Sequence, residues 1–173
     1  VMSADISPDH KMVVIGSPSK KVKVYDTATG EELYVISKHT EWVLGTAFSP
    51  DGVLLATSDR NGNALVWEAA NGGEFYILTQ HKAPCTDLAW RSDSNILASC
   101  SMDGTINVHE MNEGKLVKSW AAHGGGVQSV SFTPDGNIVS CGNDGLVRLW
   151  DINGNKKSEA VSQGDIVTKV GAL

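Results

Sequence analysis

Residues 49–68 read SPDGVLLATSDRNGNALVWE, and the same plan returns at 133–151 as TPDGNIVSCGNDGLVRLWD. Each stretch opens on a Pro-Asp-Gly turn, runs through a short apolar segment, turns again at Asn-Gly or Asp-Gly, and closes an alternating segment on Trp followed by an acid. Ser7-Pro8-Asp9, Ser49-Pro50-Asp51, Arg91-Ser92-Asp93 and Thr133-Pro134-Asp135 stand 42 residues apart throughout. His39, His81 and His123 keep that interval. The pairs Tyr25-Asp26, Trp67-Glu68, His109-Glu110 and Trp150-Asp151 follow at 42, 42 and 41, the last being shorter because NIVSCGNDG lacks one residue of NILASCSMDG. A period of this length marks an array of supersecondary units, each too small to bury its own core.

The repeat also decides how HEMNE, at 109–113, is read. In isolation the pair His109-Glu110 suggests a zinc hydrolase, whose two histidines must sit on successive turns of one helix to reach the same metal. Here His109 closes INVH, which stands beside ALVW and VRLW in the other periods, and no second histidine follows. Alternation of this kind belongs to a strand. His109 therefore reads as a substituted copy of the aromatic residue, and no metal is expected.

Within one period, VLGTAFS, CTDLAWR or VQSVSFT precedes the Pro-Asp-Gly-like turn, and LLATS, ILASC or IVSC follows it. Then come a tight turn at Asn61-Gly62, Asp103-Gly104 or Asp144-Gly145, the strand that ends on the aromatic, and a last strand such as EFYILTQ. Asn-Gly and Asp-Gly tolerate the positive φ of a two-residue hairpin. Four strands per period result, and no helix is needed. On the first strand of each period, small residues such as Gly45, Ala47, Ala89, Ser129 and Ser131 share one face. Large ones such as Leu44, Phe48, Leu88, Trp90, Val130 and Phe132 share the other. Both faces look covered, as between stacked sheets.

Composition narrows the function. The 173 residues are 41% hydrophobic and 20% charged, enough to bury a core. The formal charge of -6 argues against a protein whose work is gripping phosphate backbones, which needs clustered Lys and Arg. No apolar run approaches membrane-spanning length, and the first residues hold no basic segment leading into an apolar one. Cys85, Cys100 and Cys141 lie in apolar segments at spacings that match neither a zinc ribbon nor a haem motif, so they are expected as buried free thiols. Such thiols tilt the location toward a reducing cytoplasm, with a periplasm as the alternative.

A period near 42, a His before the first strand, an Asp-Gly turn and a terminal Trp-Asp resemble the WD-repeat β-propeller family over essentially the whole chain. The resemblance implies an all-β propeller segment of four-stranded antiparallel blades, at about 1–38, 39–80, 81–122 and 123–163, with 164–173 as the first strand of a further blade. It also implies a hydrogen-bonded tetrad within each blade. Carried over, the second blade offers His39, Thr57, Asn61 and Trp67; the third His81, Ser99, Asp103 and His109; the fourth His123, Ser140, Asp144 and Trp150. The first blade departs, with Ile15, Ser19 and Tyr25 and no histidine. Ser, His and Asp recur in every period, whereas an enzyme needs one such set in one pocket. No catalytic residue and no cofactor are expected. His109 offers an N–H as Trp does but less apolar surface, so the third blade is expected to be the weakest and its imidazole neutral.

Four of the five tryptophans find a folding role: Trp67 and Trp150 in the tetrads, Trp90 in a core position beside Phe48 and Phe132, and Trp120 on the last strand. Trp42 does not, because Pro84 and Gly126 occupy its slot in the neighbouring periods. In WD-repeat proteins this entry and the residue before the turn Asp lie on the face that receives partners. The matching positions are Trp42, Leu44 and Arg60, then Thr86 and Met102, then Gln128 and Asn143. The resemblance thus implies a non-catalytic scaffold for a protein or peptide, without nucleic acid or membrane. The alternatives are an accessory domain of a larger bacterial enzyme or signalling protein, and a small-molecule or metal site in the channel. Rings of the family usually hold seven or eight blades, so the four blades are expected to be part of a longer propeller. Self-association of two copies, or a four-bladed ring, are the other closures.

Overall fold

The structure, a computed structural model, describes residues 1–162 and 166–171. Among them sixteen strands form four sheets, and no segment is helical. The first sheet holds β1 (Ser3–Ile6), β2 (Met12–Gly16), β3 (Val22–Asp26) and β4 (Glu32–Ile36). The second holds β5 (Val43–Phe48), β6 (Leu54–Asp59), β7 (Asn63–Glu68) and β8 (Glu74–Thr79). The third holds β9 (Cys85–Trp90), β10 (Ile96–Ser101), β11 (Thr105–Glu110) and β12 (Leu116–Ala121). The fourth holds β13 (Val127–Phe132), β14 (Ile138–Gly142), β15 (Leu146–Trp150) and β16 (Lys156–Val161). Every sheet is an antiparallel meander in chain order, and the first strands touch in series, β1 to β5 to β9 to β13. These are four propeller blades whose first strands line one channel.

Each inter-blade seam is apolar because period-2 alternation supplies both faces of each sheet. Val14, Val22 and Val24 meet Phe48, Leu55, Leu65 and Trp67. Ala56, Ala64 and Val66 meet Leu88, Trp90 and Leu97. Ala98, Ile106 and Val108 meet Val130, Phe132, Ile138 and Trp150. With a neighbour on either side, β6 and β10 are buried at every residue, whereas the outermost β16 is exposed at every residue. The indole of Trp90 reaches across one seam and donates to the Ala47 carbonyl at 3.0 Å.

A second inter-blade lock lies on the outer strands. A Cβ on Gly72 would lie 2.7 Å from the Tyr34 ring, one on Gly114 2.7 Å from Tyr76, and one on Gly154 2.7 Å from Trp120. Each aromatic thus lies on a glycine of the following blade. Tyr34 also donates to the Ala69 carbonyl (2.5 Å) and Tyr76 to that of Asn112 (3.0 Å). Trp120 fills the role two residues beyond the repeat position of Tyr34 and Tyr76, which here is Lys118, on the same side of its strand. A Cβ on the equivalent glycine of the first blade, Gly30, would meet nothing within 4 Å among the described residues.

One sequence expectation changes. The turns at Gly62, Gly104 and Gly145 are three-residue connections in which the glycine alone takes positive φ and its N–H donates to the carbonyl three residues back, at 3.1 to 3.2 Å. This is a type I turn closed by a left-handed residue, where a two-residue hairpin was expected. At 164–173, where the first strand of a further blade is expected, residues 166–171 form no strand, while Gly164, Asp165, Ala172 and Leu173 fall outside the described residues. Val170 N–H donates to Ser129 Oγ (3.3 Å) and Lys169 Nζ to Asp87 Oδ2 (2.8 Å), so this stretch lies along β13 and reaches β9.

The position, more than the residue, dictates the backbone. His10, Gly52, Ser94 and Gly136 share one turn slot, Lys20, Gly62, Gly104 and Gly145 another, and all eight have positive φ. His10 and Lys20 are therefore strained where glycine would not be. Lys20→Gly is expected to stabilise the chain by about 1 kcal/mol. Gly62→Ala is expected to destabilise it by about 2 kcal/mol or more, because its Cβ would lie 2.7 Å from both the His81 and Ala83 carbonyl oxygens. Urea unfolding of the two variants checks the opposite signs.

Candidate functional site

In the second blade the imidazole of His39 enters from the segment before β5 and is buried against β6. His39 Nδ1 lies 2.8 Å from Asp59 Oδ2 and Nε2 lies 2.7 Å from Thr57 Oγ1, while Trp67 Nε1 donates to the same Thr57 oxygen at 2.8 Å. A carboxylate can only accept, so Nδ1 carries the proton and the chain of donors runs Trp67 to Thr57 to His39, and from His39 to Asp59. Burial pushes the Asp59 carboxyl up, but His39 and Asn63 outweigh it and hold it below the usual carboxylate range. Asn61, the expected fourth member, is elsewhere: its side-chain amide donates to Thr40 Oγ1 at 2.8 Å. An uncharged amide on the turn gives way to the carboxylate at the end of β6. An acid closing the buried strand LLATSD was the signal for it.

The fourth blade joins its expected residues. His123 Nδ1 lies 2.8 Å from Asp144 Oδ1, His123 Nε2 lies 2.7 Å from Ser140 Oγ, and Trp150 Nε1 donates to Ser140 at 2.8 Å. Burial raises the Asp144 carboxyl, but His123 and Arg148 together bring it down to about 2. In the third blade His81 Nε2 lies 2.9 Å from Ser99 Oγ and Nδ1 lies 3.1 Å from Thr105 Oγ1, with Asp103 Oδ2 farther at 3.4 Å. His109 is 1% exposed and neither ring nitrogen has a hydrogen-bond partner. It fills the indole slot without the indole bond, since a five-membered ring falls short of Ser99. Thr57, Ser99 and Ser140 are buried and engaged with His39, His81 and His123, which leaves no room at a hydroxyl for a reacting carbon.

The seven residues expected on the upper face, which carries Trp42 and the turns at Gly62, Gly104 and Gly145, fall into three groups, with Gln128 shared by two of them. Trp42 is 39% exposed and the Arg60 guanidinium lies 5.0 Å from its ring centroid, a cation–π pair. Met102, Gln128 and Asn143 form a connected set: Gln128 Nε2 donates to Asn143 Oδ1 (2.7 Å) and approaches Met102 Sδ (3.7 Å), and Asn143 Nδ2 donates to the Gly125 carbonyl (2.7 Å). Leu44, Thr86 and Gln128 are bulge residues of β5, β9 and β13, skipped by the ladder. The bulge re-aims each side chain, and all three line the mouth of the channel, a hollow of about 420 Å³. Leu44 is therefore not on the core face with Phe48, as alternation suggested. Within the channel Asp87 Oδ2 accepts from Ser129 Oγ at 2.6 Å and from Lys169 at 2.8 Å, so its charge is already met.

The comparisons with known proteins agree with this geometry. The family model for "WD domain, G-beta repeat" matches residues 1–26, 30–68, 72–110 and 114–151. Cross-pathway control WD-repeat protein 2 of Flammulina velutipes is 41% identical over 54 residues, 31% of this chain and 17% of that protein. Small ribosomal subunit protein RACK1 is 37% identical over 54 residues in both Medicago sativa and Glycine max, again over 31% of this chain and 17% of the relative. The structure of U3-55K superposes with a TM-score of 0.85 at 28% identity, over 92% of this chain and 50% of that one. The matches thus span about a sixth of the curated relatives and half of the U3-55K chain.

His109 yields a pH test. Burial, with the neighbouring His81 adding to it, lowers its imidazole to about 4, against about 6.5 in the unfolded chain. Between those values the unfolded state binds more protons, so this contribution is fully present above about pH 6.5 and falls as pH drops toward about 4. The difference corresponds to about 3 kcal/mol. Leu97 faces His109 as Leu55 faces Trp67, so His109→Trp is expected to restore the bond to Ser99 and stabilise by about 1 kcal/mol at neutral pH. It should also remove part of the acid sensitivity, as read by urea unfolding across that pH window. Burial also depresses His81 and His123, whose slope remains in both proteins.

Proposed function

The chain belongs to the WD-repeat family, and on that premise we propose that it is a non-catalytic scaffold whose upper propeller face receives a protein or peptide. WD-repeat proteins are generally protein-interaction scaffolds. The observation that carries the finer reading is the exposed Trp42 with Arg60 stacked on it. Core packing does not use that indole, and large aromatic and Arg side chains are the residues that dominate binding energy at interfaces. Met102 extends the same face with a soft apolar side chain, while Gln128 and Asn143 offer amides already held in fixed geometry. Two of the relatives carry names that place them in the small ribosomal subunit, an assembly of many parts.

The net charge of -6 favours a protein partner over nucleic acid. No helix among the described residues is long and apolar enough to cross a membrane. We place the chain in a reducing compartment, on Cys85, Cys100 and Cys141, which are free and buried.

A second reading concerns ring closure. The first blade exposes Ile6 at 44%, Leu33 at 48% and Val35 at 37%, and Gly30 lacks the aromatic that its three equivalents carry. We propose that a further four-stranded blade covers this side, from a longer ring or a second copy. Light scattering on the 173-residue chain separates them: a dimer at twice the chain mass supports the second copy, and a monomer supports the longer ring.

For the upper face, Trp42→Ala and Arg60→Ala are expected to weaken capture of the partner about tenfold each without altering the thermal midpoint. Affinity capture followed by titration of the recovered protein on the wild-type and variant chains reads both.

A further inference from the structure

The opposite, lower face carries the turns Ser49–Gly52 and Ala69–Gly72 and their equivalents, and it holds a hollow that the scaffold reading does not use. Its volume is about 560 Å³, and it opens beneath the second blade where the first and third adjoin it. Met12, Val53, Phe75 and Met111 supply its apolar lining. Val53 is 61% exposed and Phe75 40% exposed, so these are large apolar groups left to water beside one another. Grouped exposure of this kind marks an interaction surface, whereas single exposed apolar residues do not.

The charged lining is of one sign. Asp51 and Glu68 line the hollow, and no Lys or Arg does. A smaller adjoining hollow of about 320 Å³ shares Met12, Asp51 and Gly52 and adds Asp9. Burial raises the Asp51 carboxyl, but the Ser49 hydroxyl and the Val53 amide together outweigh it, and the Ser7 hydroxyl and the Lys11 amide lower Asp9. Both are ionised at neutral pH and held in fixed turns: Asp51 Oδ1 accepts from Ser49 Oγ at 2.6 Å and from Val53 N–H at 3.0 Å. The Phe75 ring meets Tyr76 edge-on at 4.6 Å, and Tyr76 is anchored through its hydroxyl to the Asn112 carbonyl. The corresponding hollow below the third and fourth blades differs, being lined by Arg91, Asp135, Asp151 and other polar groups.

We propose that the hollow beneath the second blade is a second docking site, which takes a peptide segment presenting one large apolar side chain flanked by Lys or Arg. The apolar side chain fills the space between Val53, Phe75 and the two methionines. The cationic flanks lie against Glu68 on one side and Asp51 and Asp9 on the other. Methionine suits such a site because its thioether adapts to more than one side-chain shape. The acidic rim excludes segments with acidic flanks, so charge supplies selectivity and the apolar lining supplies affinity.

The test uses two fluorescein-labelled hexapeptides, Lys-Lys-Phe-Leu-Arg-Lys and Glu-Glu-Phe-Leu-Asp-Glu, titrated with the 173-residue chain by anisotropy. The basic peptide is expected to bind at least about tenfold more tightly than the acidic one, and less tightly as salt rises. Val53→Arg and Phe75→Ala, both at exposed positions, are each expected to weaken it about tenfold, and Glu68→Gln about threefold. Circular dichroism confirms that each variant is folded. Trp42→Ala, on the opposite face, should leave the affinity unchanged, which separates this site from the upper one. Equal binding of the two peptides, no binding of either, indifference to Val53→Arg, or loss on Trp42→Ala would each overturn the proposal.

Discussion

One buried hydroxyl, shared between an indole N–H and an imidazole, fixes the geometry of the second and fourth blades. Thr57 and Ser140 each accept from a tryptophan at 2.8 Å and lie 2.7 Å from a histidine. All three groups are polar and all are shut off from water, so the indole and the imidazole both need the hydroxyl. The histidine belongs to the segment entering the blade, the hydroxyl to its second strand and the indole to its third. The network thus sets how the entering chain sits on the sheet, and with it the place of Trp42 three residues after His39. In the third blade the network is cut, because His109 bonds to nothing.

The sheets are held to one another by a different device. Between blades the contacts are apolar, with an aromatic ring of one outer strand lying on a glycine of the next blade. The two devices place different demands on sequence. The network needs particular atoms at particular positions, so its loss in the third blade leaves orphaned nitrogens. The ring-on-glycine contact needs only a ring on the correct side of a strand, so Trp120 serves two residues away from the position that Tyr34 and Tyr76 occupy.

Most of the fold was legible in the sequence because the period repeats the same physical demands four times. The strand order, the buried histidines, the hydroxyls and the indoles all follow from alignment at 42 residues. Four things did not. Asp59 replaced Asn61 because the identity of the acid depends on which turn atom reaches the imidazole, and alignment carries position without direction. The bulges that turn Leu44, Thr86 and Gln128 into the channel leave the alternation of β5, β9 and β13 almost unchanged to the eye. The lower hollow joins residues from three blades, Met12, Phe75 and Met111 among them, and no local pattern brings these together. Positive φ at His10 and Lys20 was hidden for the opposite reason: the repeat imposes it on residues that would not choose it.

The most direct measurement is the unfolding free energy of Thr57→Val compared with Ser99→Ala. Each removes the hydroxyl beside a buried histidine, but only Thr57 also receives an indole. The shared-hydroxyl account predicts a loss of about 3 kcal/mol for Thr57→Val, which orphans both Trp67 and His39, and about 1 kcal/mol for Ser99→Ala, where only His81 loses a partner. Equal losses, or a change below about 0.5 kcal/mol at Thr57, would contradict it and leave apolar packing alone to explain the blades.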